Sequence, residues 1–346
     1  MTNGARLWWT ALMLALASGC SGGGSSKATG APLVDGSTSG IMAAPEGGGE
    51  SGDDSAAISA VGDDGGTAAN AMDATTSMGA GTLDASPDAA LSGWTLTWSD
   101  EFDGPDGSAA DPTKWTYDTG GTGWGNEEEE YYTSGTENAV VQGGALVITA
   151  TTEGASQYHC SYAPTGAGTC LYTSARLKTE GLFSQEYGRF EARVQMPTGQ
   201  GLWPAVWMLG NDINTVSWPA CGEIDFMETI GSDITTNHGS LHMPKDDPTG
   251  TYTLPDGGSF ANGFHVFAIE WEPGTIAFYV DDVLYETQTQ AAVPNGGTWE
   301  FDQPFFLIMN VAVGGQWPGQ PNATTHFPQT MMVDWVRVYQ KNTGDP

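Results

Sequence analysis

The stretch Gly222-Glu223-Ile224-Asp225-Phe226-Met227-Glu228 sets three carboxylates within six residues and puts Ile, Phe and Met between them. Few folds accommodate such a segment. β-Branched and aromatic spacers alternating with acids describe a half-buried strand. Successive side chains on a strand point to opposite faces, so Glu223 and Asp225 share one face. Strict alternation would send Glu228 to the other face. One extra residue, a β-bulge across Phe226-Met227, returns it to the first. All three acids then look into one cleft.

Carboxylates a few ångströms apart raise each other's pKa values, so one can hold its proton near neutral pH while another stays ionised. That split suits cleavage of a glycosidic bond, in which one carboxylate attacks the anomeric carbon and one carboxylic acid protonates the leaving oxygen. A retaining enzyme needs the two carboxyls about 5–5.5 Å apart. Strand spacing leaves the Glu223 and Glu228 Cα atoms on the order of 13 Å apart, so long side chains on a concave strand must close the gap. Two other readings compete. Calcium favours acids and carbonyls on a turn-forming loop. A solvated acidic edge would not carry Ile and Phe between its acids.

The rest of the globular region reads as strands. Trp94 to Trp98 alternates, and Ala145 to Ala150 follows Gly143-Gly144. In Arg189 to Met196, Phe190, Ala192, Val194 and Met196 fall on the core side, with Arg189, Glu191, Arg193 and Gln195 outward. Phe264 to Trp271 and Ile276 to Val280 form a hairpin, and Phe305 to Val313 and Met331 to Tyr339 complete the set. Long helical periodicity is absent. Many short strands with Gly and Pro turns make an all-β, antiparallel β-sandwich.

Trp218-Pro-Ala-Cys-Gly-Glu-Ile-Asp-Phe-Met-Glu228 resembles the signature of glycoside hydrolase family 16, in the form with the extra residue before the last Glu. Laminarinase-type β-1,3-glucanases, agarases and carrageenases share that form. The resemblance runs over roughly residues 94–340. It implies a jelly roll whose concave face carries the cleft, with Glu223 as nucleophile, Glu228 as acid and then base, and Asp225 orienting Glu223. Chemistry alone would allow the two Glu roles to be exchanged.

Further stretches match the family. Trp124-Gly-Asn-Glu-Glu-Glu-Glu-Tyr-Tyr-Thr133 resembles a segment bordering the glycone side, and Asn126 and Glu128 fall on matching positions. Glu129 and Glu130 stand where apolar or amide residues are commoner, and their side chains are expected to alternate into solvent. Trp203 and Trp207, four apart in Leu202-Trp-Pro-Ala-Val-Trp-Met-Leu209, share a strand face. Trp buries much apolar area, so core packing competes with sugar stacking, and the resemblance favours stacking for at least one of the pair. In Asn310-Val-Ala-Val-Gly-Gly-Gln-Trp317, Asn310 is assigned to substrate and Trp317 sits on a Gly-rich loop, where an aromatic is expected to meet ligand. His238 and His242 share a face, but no third metal ligand is obvious. The resemblance places His242 near the acid/base, and Arg176 on sugar hydroxyls, with a structural ion pair as the competing role. It also implies a structural calcium on Glu101, Asp334 and the Gly144 carbonyl, and no cofactor for catalysis.

At the start, Arg6 precedes an apolar run from Leu7 to Ala17, too short to cross a bilayer and suited to a signal-peptide core. Leu16-Ala-Ser-Gly-Cys20 resembles a bacterial lipoprotein processing site, so residues 1–19 are expected to be removed and Cys20 lipidated. Residues 21–92 hold ten acids, one Lys and no aromatic residue. Such a segment cannot bury enough apolar area to offset its ordering entropy and reads as a flexible tether. The catalytic domain is expected over 93–341. Cys160 and Cys170, in a polar, Gly-rich stretch, suit a disulfide in an exported setting. Cys221 is left as a buried thiol, without a His activator and on the side away from the acids.

Between residue 93 and the end, thirty-two acids face eight Lys and Arg. That excess argues against nucleic acid, whose phosphates need cationic partners, and equally against polyanionic polysaccharides. The expectation is an exported, lipid-anchored, monomeric retaining endo-glycosidase acting on a neutral polysaccharide, β-1,3-glucan. Mixed-linkage glucan, a neutral galactan, or glucan binding without catalysis are the alternatives. The membrane enters only through the lipid. A chain beginning at Ser92 is expected to unfold cooperatively and keep the specific activity of the full chain. Loss of the cooperative thermal transition on truncation would make the segment part of the domain.

Overall fold

The structure, a computed structural model, describes residues 91–164, 168–342 and 344. The expected signal peptide, Cys20 and nearly all of the tether lie outside the described residues. Two antiparallel sheets dominate. The sheet carrying the acids runs in the order Thr249–Thr253, Thr236–His242, Glu223–Glu228, Leu202–Gly210, Phe305–Val313, Arg176–Lys178, Thr116–Asp118. The second runs Val283–Thr289, Thr275–Val280, His265–Glu272, Gly188–Gln195, Gln329–Lys341, Ala145–Ala150, Ala139–Gln142, and Trp94–Asp100 also pairs with Gln329–Lys341. Glu130–Tyr132 and Tyr172–Ser174 form a small parallel pair. This is the all-β antiparallel sandwich expected from the strand pattern, in the jelly-roll form that the family resemblance implied, and the only α-helix among the described residues is Ile213–Val216.

Alternation fills the space between the sheets. Phe190, Ala192, Val194 and Met196 are buried as expected and meet Ile224, Phe226, Leu307 and Met309 from the acid-bearing sheet in one core. The outward Arg189 and Glu191 are also buried, because Arg189 pairs with Glu191, Glu270 and Asp282 across the back of the second sheet. Trp271 ties the layers together. Its ring packs edge-on against Phe305 of the opposite sheet, and its Nε1–H donates to the Phe301 carbonyl at 3.1 Å.

The middle strands of the acid-bearing sheet are flanked on both edges. Leu202–Gly210 pairs residue by residue with Phe305–Val313 on one side and with Glu223–Glu228 on the other. Gly222 delivers the chain into the acid strand at φ +74°, where a Cβ would lie 2.8 Å from the Phe305 ring. Trp271→Ala should cost about 3–5 kcal/mol by emptying a fully buried aromatic site between the sheets. The midpoint of denaturant unfolding measures it, and a loss well under 1 kcal/mol, small for any core truncation, would remove Trp271 from this role.

Candidate active site

Glu223–Glu228 keeps its register with Leu202–Gly210 through Asp225, which lies opposite Trp207, and then slips. Met227 faces Val206 and Glu228 faces Ala205, so Phe226 is the extra residue of a bulge. Ile224, Phe226 and Met227 are all buried in the core. Asp225 is buried on the other face, with Glu223 and Glu228 partly exposed beside it. The bulge thus does what the spacing of the acids required.

His242 lies across from Glu223 in the register with the neighbouring strand. Its Nε2 is 3.1 Å from Asp225 Oδ2 and 3.8 Å from Glu223 Oε1, and its Nδ1 is 3.0 Å from Asp247 Oδ1. Burial alone would lower the imidazole pKa, but bonds to Asp225 and Asp247 and the charge of Glu223 raise it well above the ordinary value. Glu223, Asp225 and His242 offer ligand atoms within 4.8 Å of one another. A metal needs the neutral imidazole, however, and these partners stabilise the imidazolium. The cation of this cluster is His242 itself.

Burial pushes the Glu228 carboxyl up to about 8, with Asp225 adding to it. The imidazolium and the Trp203 Nε1–H, which donates to Glu228 Oε1 at 2.9 Å, work in the opposite direction. Burial, then Asp225 and Glu228, also raise Glu223, with the His242 charge opposing them. The cluster therefore holds protons at neutral pH, with a counter-charge on the Glu223 side and an indole donor on the Glu228 side. One acid can give a proton while its neighbour attacks or stabilises positive charge.

Two aromatic walls flank the acids. Trp203 and Trp207 stand on the acid side of their strand, and Val206 and Met208 between and beside them are in the core. Trp317 packs edge-on against Trp203 and against the His238 ring, with centroids 5.4 and 5.0 Å away. The Arg176 guanidinium lies between Trp207 and Trp124, 4.7 and 5.1 Å from their centroids, and its Nε is 3.0 Å from Asp118 Oδ2. Arg176 is thus both wall and ion pair.

Several expectations need correction. Glu129 and Glu130 do not reach solvent: both are buried, as is Glu128. Their segment is stitched to the end of Phe305–Val313, the Glu129 N–H donating to the Val313 carbonyl at 2.8 Å and the Val313 N–H to Glu130 Oε2 at 2.6 Å. Burial raises all three acids, Glu129 to about 7, and Glu128 adds to the rise at Glu130. Asn310, assigned to substrate, is buried and its amide is engaged within the protein: Oδ1 accepts from Trp207 Nε1 at 2.8 Å and Nδ2 donates to the Tyr132 hydroxyl at 3.1 Å. Asn126 remains beside Glu128, with Nδ2 3.4 Å from Oε1. The calcium set does not fit as arranged. Glu101 accepts two bonds from Arg337 and Asp334 pairs with Arg193, so each acid already has its own guanidinium. Gly144 lies in the turn between two strands of the second sheet. Cys160 and Cys170 are joined, and Cys221 is a buried free thiol. Cys221 does not point away from the acid side: two residues before Glu223 it has the same strand parity, and it clusters with Leu209, Phe306, Ile308 and Trp207. Burial pushes its thiol up to about 12, which leaves it inert.

Two site residues escaped the sequence reading. Asp247, in the Asp246-Asp247 pair of a turn, fixes the His242 ring. Asn237 occupies a core-facing strand position, and a polar residue there was the available signal.

The family model for glycosyl hydrolases family 16 matches residues 126–337. The β-glucanase of Rhodothermus marinus is 44% identical over 261 residues, 71% of this chain and 85% of that protein. The glucan endo-1,3-β-glucosidase A1 of Niallia circulans is 40% identical over 276 residues, 73% of this chain but 39% of that protein. The laminarinase catalytic domain from Thermotoga petrophila RKU-1 superposes with a TM-score of 0.66 at 45% identity, covering 72% of this chain and 99% of that one. The chain belongs to glycosyl hydrolases family 16.

The Glu228 carboxyl sets a pH limit. An acid must carry its proton to donate it, and kcat/KM reports the free enzyme. kcat/KM is therefore expected to fall as pH rises through about 8. Because the folded pKa is raised, this group's contribution to stability is complete below the ordinary carboxyl range and is lost over the same rise. A pH–rate profile and urea midpoints across that window measure both, and an activity plateau extending well past it would sink the assignment.

Proposed function

We propose that this chain is a retaining endo-glycosidase that hydrolyses β-1,3-glucan. The observation that carries the chemistry is the bulge that sets Glu223, Asp225 and Glu228 on one face with His242 beside the first two. Glu223 attacks the anomeric carbon while Glu228 protonates the departing oxygen, leaving a glycosyl ester on Glu223. Glu228, now ionised, takes a proton from water, which attacks the same carbon and frees Glu223. Asp225 and His242 form the charge setting in which Glu223 ionises. The assignment of the two roles rests on the family pattern, and the Trp203 donor on Glu228 is compatible with it.

The substrate reading rests on the relatives' names and on charge. Arg176 lies between two of the indoles, and it and Lys178 both pair with Asp118. A sulfated glycan would need charge-assisted partners that are engaged here. Trp207, Trp317 and Trp124 instead provide faces for uncharged sugars, with Trp203 buried behind Trp317 and with Asn126, Arg176 and His242 as polar contacts. The N-terminal pattern supports export and anchoring to the bacterial envelope through a lipid on Cys20, with the enzyme acting as a monomer.

Reducing-sugar release should be highest on laminarin, weaker on mixed-linkage glucan and absent on carrageenan. Glu223→Gln and Glu228→Gln should each lose several orders of magnitude in rate with an unchanged melting temperature. Azide with a good leaving group should restore turnover to the Glu228 variant. Wild-type rates in Glu228→Gln would refute the mechanism, and preference for carrageenan would refute the substrate.

A further inference from the structure

The bulge that aligns the acids breaks the ladder on its other edge. Glu223–Glu228 pairs with Thr236–His242 only as far as Asp225 opposite Ser240. Continued without a bulge, that register would bring Glu228 opposite Asn237. The extra residue instead leaves the Phe226 carbonyl and the Glu228 N–H facing the Asn237 side chain. Asn237 Oδ1 accepts from the Glu228 N–H at 3.0 Å, and Nδ2 donates to the Phe226 carbonyl at 3.2 Å. One amide therefore closes both rungs that the bulge opened.

The orientation of that amide is fixed by its partners, since an N–H can only donate and a carbonyl only accept. Asn237 is fully buried, on the core side of its strand, whereas His238 and His242 stand on the acid side. A third bond anchors it to the opposite sheet: Nδ2 also lies 3.2 Å from the hydroxyl of Tyr285. Gly239 leaves room for this reach, because a Cβ there would sit 2.3 Å from the Tyr285 hydroxyl. The amide is thus held from behind and grips the backbone of Glu228 without touching the cleft. On the cleft side Glu228 is held at its carboxyl by Trp203. Its main chain and its carboxyl are each pinned by one donor–acceptor contact from a different strand.

We propose that Asn237 is a positioning residue for the proton-transfer acid: by clamping the bulge from the core it fixes where the Glu228 carboxyl stands relative to the leaving oxygen. A side chain with both a donor and an acceptor is required. Asp of the same size keeps only the acceptor when ionised, and Val keeps neither. The inference rests on the assignment of Glu228 as acid and base in the proposed mechanism.

Leaving-group dependence separates this role from a general structural one. A substrate that needs protonation should suffer from a misplaced acid, and one with a very good leaving group should not. Asn237→Val is expected to lower kcat/KM about a hundredfold on polysaccharide and on alkyl glycosides, since displacement of a catalytic group by about 1 Å costs that much. On 2,4-dinitrophenyl glycosides of the same sugar it should stay near the wild-type value, with KM little changed on either. Tyr285→Phe, which keeps both bulge bonds, should stay near wild type on both classes. If the Val variant does not fold, Asn237→Asp is read in the same way and should show the same selective loss. Equal losses on both substrate classes, or no loss on either, would overturn the proposal. Failure of the wild-type enzyme on laminarin would overturn the substrate reading alone, because the leaving-group comparison runs on aryl and alkyl glycosides of any sugar the enzyme accepts.

Discussion

A single inserted residue governs this site. With strict alternation, Glu228 would join Ile224 and Phe226 on the core face, where an ionised carboxylate is costly unless paired. The bulge at Phe226 changes the parity once and serves both faces. Behind the strand, three consecutive apolar contacts lock it to the sandwich. In front, three carboxyls converge. Neither face could be adjusted alone, because the side-chain period of a strand ties them together.

Converging acids repel, and the molecule handles that repulsion in two ways. At Glu223 and Asp225 it supplies a cation, His242, held by Asp247 at its far nitrogen. At Glu128 to Glu130 burial makes those carboxyls retain protons more readily than they would in water, while the Val313 N–H on Glu130 works in the opposite direction. Both devices lower the charge that a domain with thirty-two acids and eight basic residues carries near its cleft. The few cations present are fixed by partners, Arg176 by Asp118 and two indoles, and thus shape the walls rather than attract anionic ligands.

Most of the fold was legible because strands of the second sheet alternate apolar and polar residues, as Arg189 to Met196 does, and the bulge was legible because an acid stood one position out of phase. Most of the failures share one cause. Glu129, Glu130 and Asn310 lie where both faces of a segment are covered, and there parity no longer predicts exposure. Phe305–Val313 is buried at every position, so nothing in its period distinguishes a residue facing sugar from one facing a neighbouring side chain. Long-range partners were equally out of reach. That Glu101 and Asp334 each meet an arginine follows from strand pairing across more than two hundred residues in one case, and no local spacing encodes it.

The buried polar residues also connect the walls to each other. Trp207 donates to Asn310, Asn310 donates to Tyr132, and Tyr132 donates to Glu128 at 2.9 Å. Each link uses a group that would be costly to bury alone, and together they satisfy one another in a low-dielectric layer. The chain runs from an indole opposite Asp225 to the segment that carries Asn126 and packs Trp124 against Tyr132. A rotation of Trp207 would therefore leave Asn310 without its donor and disturb the seat of Glu128. Trp207 is thus held from behind by buried hydrogen bonds, whereas Trp203 is held from the cleft, through its bond to the Glu228 carboxyl.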